Sequence, residues 1–247
     1  TANVSGGTVS AASLVGDISG NAAVAVTGAI TGVVTTTGTV TSGSLSTNAV
    51  SAGTTTVTGN ATIAAVSGGV TTIGGVGSLT TVTNGTLNLN GATASVTTLN
   101  GGMVNLGTTV LTVSAGTTSG AITGTAGSLT KSSAGTLTLS GANTYGGVTT
   151  VAAGKLVVSS LGDGVAASSL GLAGLSPANL VLATGATLGY AGAGETSGRG
   201  FTMASSATLD ASGTGALVLT SSAKVAFSNS AAARSLTLDG TSTAANS

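Results

Sequence analysis

Leu and Val alternate with Thr and Ser along this chain in short runs, and glycines end the runs. Leu87/Leu89, Leu137/Leu139, Leu156/Val158, Leu217/Leu219 and Leu236/Leu238 fall two apart. That is the period that turns alternate side chains to one face of a β-strand, so these pairs are expected to face inward. Thr86/Asn88, Thr136/Thr138 and Thr237/Asp239 then face water. A helical reading fails, because apolar residues at i, i+3 and i+4 do not persist and glycine interrupts too often.

The strands recur. Leu87 and Leu106, Leu137 and Leu156, and Leu217 and Leu236 are each nineteen residues apart, while Leu188 and Leu209 are twenty-one apart. A fixed period of this size marks a solenoid, in which each unit buries its apolar side chains only by stacking on its neighbours. The corners fall to glycine, notably in Asn84-Gly85, Asn90-Gly91 and Asn100-Gly101, which accept the positive φ of a tight bend. Such pairs also occur in hairpins, but recurrence of the whole apolar set favours parallel stacking of successive coils. Connections between parallel strands prefer the right hand. The expected fold is therefore all-β, a right-handed parallel β-helix (β-solenoid) with about twenty residues per coil. About twelve coils spaced by roughly 4.8 Å would make a rod on the order of 60 Å long.

A single domain over residues 1–247 is expected, with three textures. Residues 1–126 hold irregular Thr/Ser/Gly/Val coils, and 127–160 are the most regular. Residues 161–178 break the alternation and lead into the only proline, Pro177, so they read as a loop extruded from the coil with room for one short helix. Residues 179–247 return to coils. Thr1–Ser10 already follows the repeat pattern, as expected for a piece of a longer protein.

Composition narrows the function. The chain is 41% apolar but only 4% charged and 2% aromatic, where a globular domain carries about 25% charge. Neutral hydroxyls must cover the surface. Five basic residues balance five acidic ones, which removes electrostatic attraction to nucleic acid or anionic lipid. Only Asp17 is charged before Lys131. So little charge also leaves weak protection against self-association. No apolar stretch is long enough for a membrane helix, so no direct membrane insertion of this segment is expected.

Residues 127–160, GSLTKSSAGTLTLSGANTYGGVTTVAAGKLVVSS, resemble the autotransporter-associated β-strand repeat of bacterial passenger proteins. The repeat's lysine matches Lys131, its G-T-L-T-L-S-G matches Gly135–Gly141, and its A-N-T-Y matches Ala142–Tyr145. Gly146-Gly147 and Leu156-Val157-Val158 complete the unit. Residues 180–203 are similar to the segment that often follows it. The resemblance implies a right-handed parallel β-helix exported across the outer membrane, to the cell surface or beyond, with attachment, matrix or layer roles and no fixed ligand. The translocator barrel of such proteins is not represented in this sequence.

With no His and no Cys, the Ser-His-Asp and Cys-His systems and most transition-metal sites have no members. Ser128-x-x-Lys131 and Ser221-x-x-Lys224 match a serine acyltransferase spacing, but lack its companion motifs. Asp163, Glu195 and Arg199 are the one seed for a polysaccharide-lyase cluster, against the simpler expectation of a surface ion pair between Glu195 and Arg199. Tyr145 and Tyr190 are either carbohydrate-stacking platforms or packing against a corner or loop, and their place in the repeat favours packing. Asn143 is expected to bond backbone at a corner. Asn3, Asn60 and Asn84 open N-x-Ser/Thr sequons. Rows of Thr and Ser could offer a flat face to ice or glycans, though without a strict T-x-T repeat.

No catalytic, cofactor-binding or metal residue is assigned, and no cofactor is expected. The expected function is a non-catalytic extracellular rod: a surface stalk, an adhesin segment, or a self-assembling fibre or layer subunit. Its expected partners are further copies end to end, surface glycans, or host and matrix surfaces, with no nucleic acid. The alternative is a polysaccharide-binding or polysaccharide-cleaving β-helix protein.

Overall fold

In a computed structural model, residues 4–220, 225–228 and 233–243 are described. Short strands pair in parallel with strands of the next coil, which makes the chain a β-solenoid of about 12 turns. It divides into two compact units, Thr1–Leu111 and Thr112–Ser247.

In the first unit, strand Thr54–Val57 pairs with Val70–Ile73, and Val70–Ile73 with Thr86–Leu89, at a register of sixteen residues. Strand Ala61–Val66 pairs with Gly77–Val82 at the same offset. The coil is thus shorter here than the leucine spacing suggested. Leu87 stacks on Val104, not on Leu106, although Leu106 is itself fully buried. The interior is laid down in columns. Val4, Ile18, Val34, Val50, Val66, Val82 and Leu99 lie one per coil, each buried, giving a continuous aliphatic ladder.

A second inward column runs Val24, Val40, Thr55, Thr71, Leu87, Val104. Its two threonines are fully buried and their hydroxyls have no partner. Corners recur as Gly53, Gly69, Gly85 and Gly102, all at positive φ. A Cβ on Gly69 would stand 2.5 Å from the carbonyl oxygen of Gly53, so stacking as well as dihedral angle requires glycine. The Asn-Gly pairs mark this column unevenly: Gly85 has positive φ, but after Asn100 the left-handed residue is Gly102 rather than Gly101.

The second unit has longer coils. Leu137, Leu156, Leu188, Leu209 and Leu238 form one column, at offsets of nineteen, thirty-two, twenty-one and twenty-nine. Its first four members are buried and Leu238 is exposed. Leu236 pairs with Ala207, so the expected stacking of Leu217 with Leu236 does not occur; Leu217 instead pairs with Glu195. Strands Ala193–Ser197 and Gly215–Leu219 form a separate two-stranded sheet, which adds a third strand to those coils. The offset of thirty-two reflects residues 159–179, which leave the ladder between strands Lys155–Val158 and Leu180–Leu182 and end in a 3-10 turn at Pro177–Asn179.

Candidate functional site

Several polar side chains of the second unit converge on that inserted segment. Its first limb is held from Glu195 and its neighbours. The Glu195 carboxylate accepts the backbone N–H groups of Leu161 at 2.8 Å and Gly162 at 2.6 Å. Arg199 Nε donates to the Leu161 carbonyl at 3.0 Å and the Gly162 carbonyl at 3.3 Å. Asp163 Oδ1 accepts the Gly198 N–H at 2.7 Å and faces Ser197 Oγ at 3.1 Å. Carboxylate and guanidinium therefore bind the N–H and C=O groups of the same two residues, and the 161–162 peptide group at both polarities.

This corrects the expected surface ion pair. Arg199 is buried and makes no ion pair among the described residues; its Nη2 has no partner at all. Burial pulls its pKa below the ordinary value, while the charges of Tyr145, Asp163 and Glu195 act in the opposite direction. The trio expected as a seed for a lyase cluster is brought together, but both carboxylates and the Arg199 Nε are engaged mainly by backbone groups. Among the described residues no group of His, Cys, Asp and Glu could hold a metal ion.

The second limb is held from the other side. Asn143 pairs with Ser168 through both backbone groups, at 2.9 and 3.2 Å. Its side-chain Nδ2 donates to the Ser169 carbonyl at 2.8 Å, and its Oδ1 accepts the Ile122 N–H at 2.8 Å. Tyr145 is fully buried, with its phenol 2.7 Å from Thr149 Oγ1 and its carbonyl accepting the Leu172 N–H at 2.8 Å. Burial pushes its pKa up to about 12, against the Thr149 hydrogen bond and the Arg199 charge. Tyr190 is buried too, and its hydroxyl accepts the Gly194 N–H at 3.0 Å. Neither ring presents a face on which a sugar could stack.

Lys131 occupies an inward position. It stands in one column with Val151, Leu182, Met203 and Phe227. Its Nζ donates to the carbonyls of Ser133 and Ala153, and burial lowers its pKa. No bond joins it to Ser128, so the acyltransferase spacing there assembles nothing. Ser221, Lys224 and Asn3 lie outside the described residues. Of the other sequons, Asn84 is exposed, whereas the Asn60 side chain accepts the Val76 N–H at 2.8 Å.

Two further surfaces stand out. In the first unit Thr31, Ser46, Thr62, Ser78 and Ser95 form an exposed outward column, beside a groove of about 310 Å³. Sequence spacing alone hid this column, because three of its five members are Ser and only two are Thr. In the second unit an apolar cavity of about 480 Å³ is lined by Phe201, Leu209, Leu217, Val225, Leu236 and Leu238.

Residues 129–158 match the passenger-associated transport repeat family. The chain carries the transport repeat of autotransporter passengers. It is also similar to the adhesin BmaC autotransporter of Brucella suis biovar 1 (strain 1330), at 39% identity over 92 residues. That match covers 37% of this chain and 3% of the relative, so the chain spans a small part of the length of the curated protein it matches. No solved structure matches the chain.

The structure shows what the distinctive positions of the transport repeat do here. Leu137, Leu139, Leu156 and Val158 fill two adjacent interior columns. Lys131 closes the carbonyls of a corner from within the coil. Asn143 and Tyr145 act beyond the repeat, fastening the segment that follows it.

Proposed function

We propose that this chain is a non-catalytic segment of an autotransporter passenger, exported to the bacterial surface, in which stacked coils form a stalk and residues 159–179 form the contact surface of an adhesin. The observation that carries the reading is the use of Asn143 and Tyr145. Polar residues of the transport repeat are committed to holding a loop outside the ladder, and that loop exposes Val165, Leu172 and Leu175. Loops held on a rigid scaffold are where recognition concentrates. The match to an adhesin supports the same role. The partner would be a surface glycan or a host or matrix surface, met without charge attraction.

The test is binding by cells displaying the chain with residues 163–175 replaced by a short Gly-Ser link. Loss of attachment with unchanged β-sheet circular dichroism is the expected outcome. Attachment equal to that of the parent chain would remove the loop from the adhesive surface.

A second reading, assembly into fibres or layers, draws on one feature. Phe227 and Leu238 are exposed beside the apolar cavity, on strands that carry few charges to discourage pairing. Electron micrographs of the purified chain decide it: filaments support assembly, and discrete particles at high concentration oppose it.

A further inference from the structure

We infer that Gly164–Ala167 is a processing site: the one stretch between residues 4 and 220 that an endopeptidase with a shallow pocket for small aliphatic side chains cuts first, leaving the cut chain associated. Val165 is 90% exposed, and Ala166 and Ala167 are exposed beside it. None of the three makes a hydrogen bond among the described residues. The corners at Gly53, Gly69, Gly85 and Gly102 differ, because each is three residues long and continues on both sides into paired strands. The longer bends 16–22 and 32–38 are held by backbone bonds from Ile18, Ser19, Val34 and Thr35. A protease must draw several residues into an extended strand in its cleft, which a ladder residue can do only after local unfolding. Gly164–Ala167 meets that demand without disturbing any coil.

The limbs on either side explain why the cut chain would stay together. Leu161–Asp163 are bound by Glu195, Arg199, Ser197 and Gly198. Ser168, Ser169 and Leu172 are bound by Asn143 and Tyr145. The limbs also bond each other, through Ser168 Oγ to the Leu161 carbonyl at 3.2 Å and the Ser169 N–H to Ser160 Oγ at 3.0 Å. Water adds across the Val165–Ala166 or Ala166–Ala167 peptide bond, leaving a carboxylate on the first residue and an amine on the second, with no change of oxidation state. The product is a two-chain passenger segment with a free carboxylate and a free amine at the surface of its loop.

The test uses the full chain and pancreatic elastase at low enzyme ratio, with fragments identified by mass spectrometry. Between residues 4 and 220, the first cut is expected within 164–167, and the two fragments should elute together on native gel filtration and separate in denaturant. The V165P/A166P double variant should be cut there at least about tenfold more slowly, since proline at these positions obstructs the cleft without touching either limb. An earlier cut elsewhere between 4 and 220, fragments that part under native conditions, or equal cutting of V165P/A166P would each overturn the inference. No adhesive partner enters the experiment, so its failure leaves the adhesin reading untouched.

Discussion

Lys155 reaches Asp210 by lying across Gly189, with its Nζ 2.5 Å from Asp210 Oδ2. Lys155 and Asp210 belong to coils on either side of the strand that holds Gly189, which pairs with Val157 on one side and Asp210 on the other. A Cβ at position 189 would stand 2.9 Å from Lys155 Cε. The absence of one side chain therefore opens the path for a salt bridge that spans three coils.

Gly189→Val should displace Lys155 and break the pair. Lys155 is 38% exposed and solvent screens it, so the ionic part is worth at most about 1 kcal/mol. A double-mutant cycle of Lys155→Met and Asp210→Asn in urea checks it: coupling in the parent should vanish in the Gly189→Val background. Burial opposes the charge on Asp210, but hydrogen bonds from Lys155 and Ser212 outweigh it and hold the carboxyl below its usual value. The contribution is thus present above the unfolded carboxyl value near pH 4 and is lost as pH falls through the lower folded value.

Tyr145 predicts a loss at alkaline pH. Its folded value of about 12 lies above the ordinary 10.0, so the folded state keeps a proton that the unfolded chain releases. Stability should hold below about pH 10 and fall by roughly 3 kcal/mol as pH rises through 12. Tyr145→Phe should flatten that slope in urea titrations between pH 9 and 12, at a constant cost from the lost Thr149 hydrogen bond. An unchanged slope would show that the phenol does not govern it.

Thr71→Val should stabilise the first unit. The Thr71 hydroxyl is buried without a partner, and an unsatisfied group of this kind costs about 1–3 kcal/mol. Valine keeps the shape and suits a column that already holds Val40 and Leu87. The denaturation midpoint should rise, and rise again with Thr55→Val added.

Asn143→Ala should be among the more damaging single changes. It strands the Ile122 N–H and the Ser169 carbonyl, both in buried surroundings. A loss of about 2–4 kcal/mol is expected. Hydrogen exchange should show residues 168–172 opening well before the strands of the ladder do.

The repeat motif and the alternation made the architecture legible. Leu137, Leu156, Leu188 and Leu209 announce their column because each sits in an unbroken strand, and a period of two admits only one inward set. The sixteen-residue coil of the first unit was also written in the sequence, in the spacing of Gly53, Gly69 and Gly85, with Gly102 following at seventeen. The leucines of the transport repeat carry a longer period, nineteen residues from Leu137 to Leu156.

The polar side chains were not legible. Glu195 and Arg199 sit four residues apart, which suggests that they pair with each other. Their partners are peptide groups of residues 161 and 162, more than thirty positions away, brought near by an excursion whose path no local pattern encodes. Strands and their alternation follow from short-range rules of dihedral angle and side-chain period, so the amino-acid order alone determines them. Which backbone a buried charge satisfies depends on where the chain returns after leaving the ladder, and only the folded structure decided that.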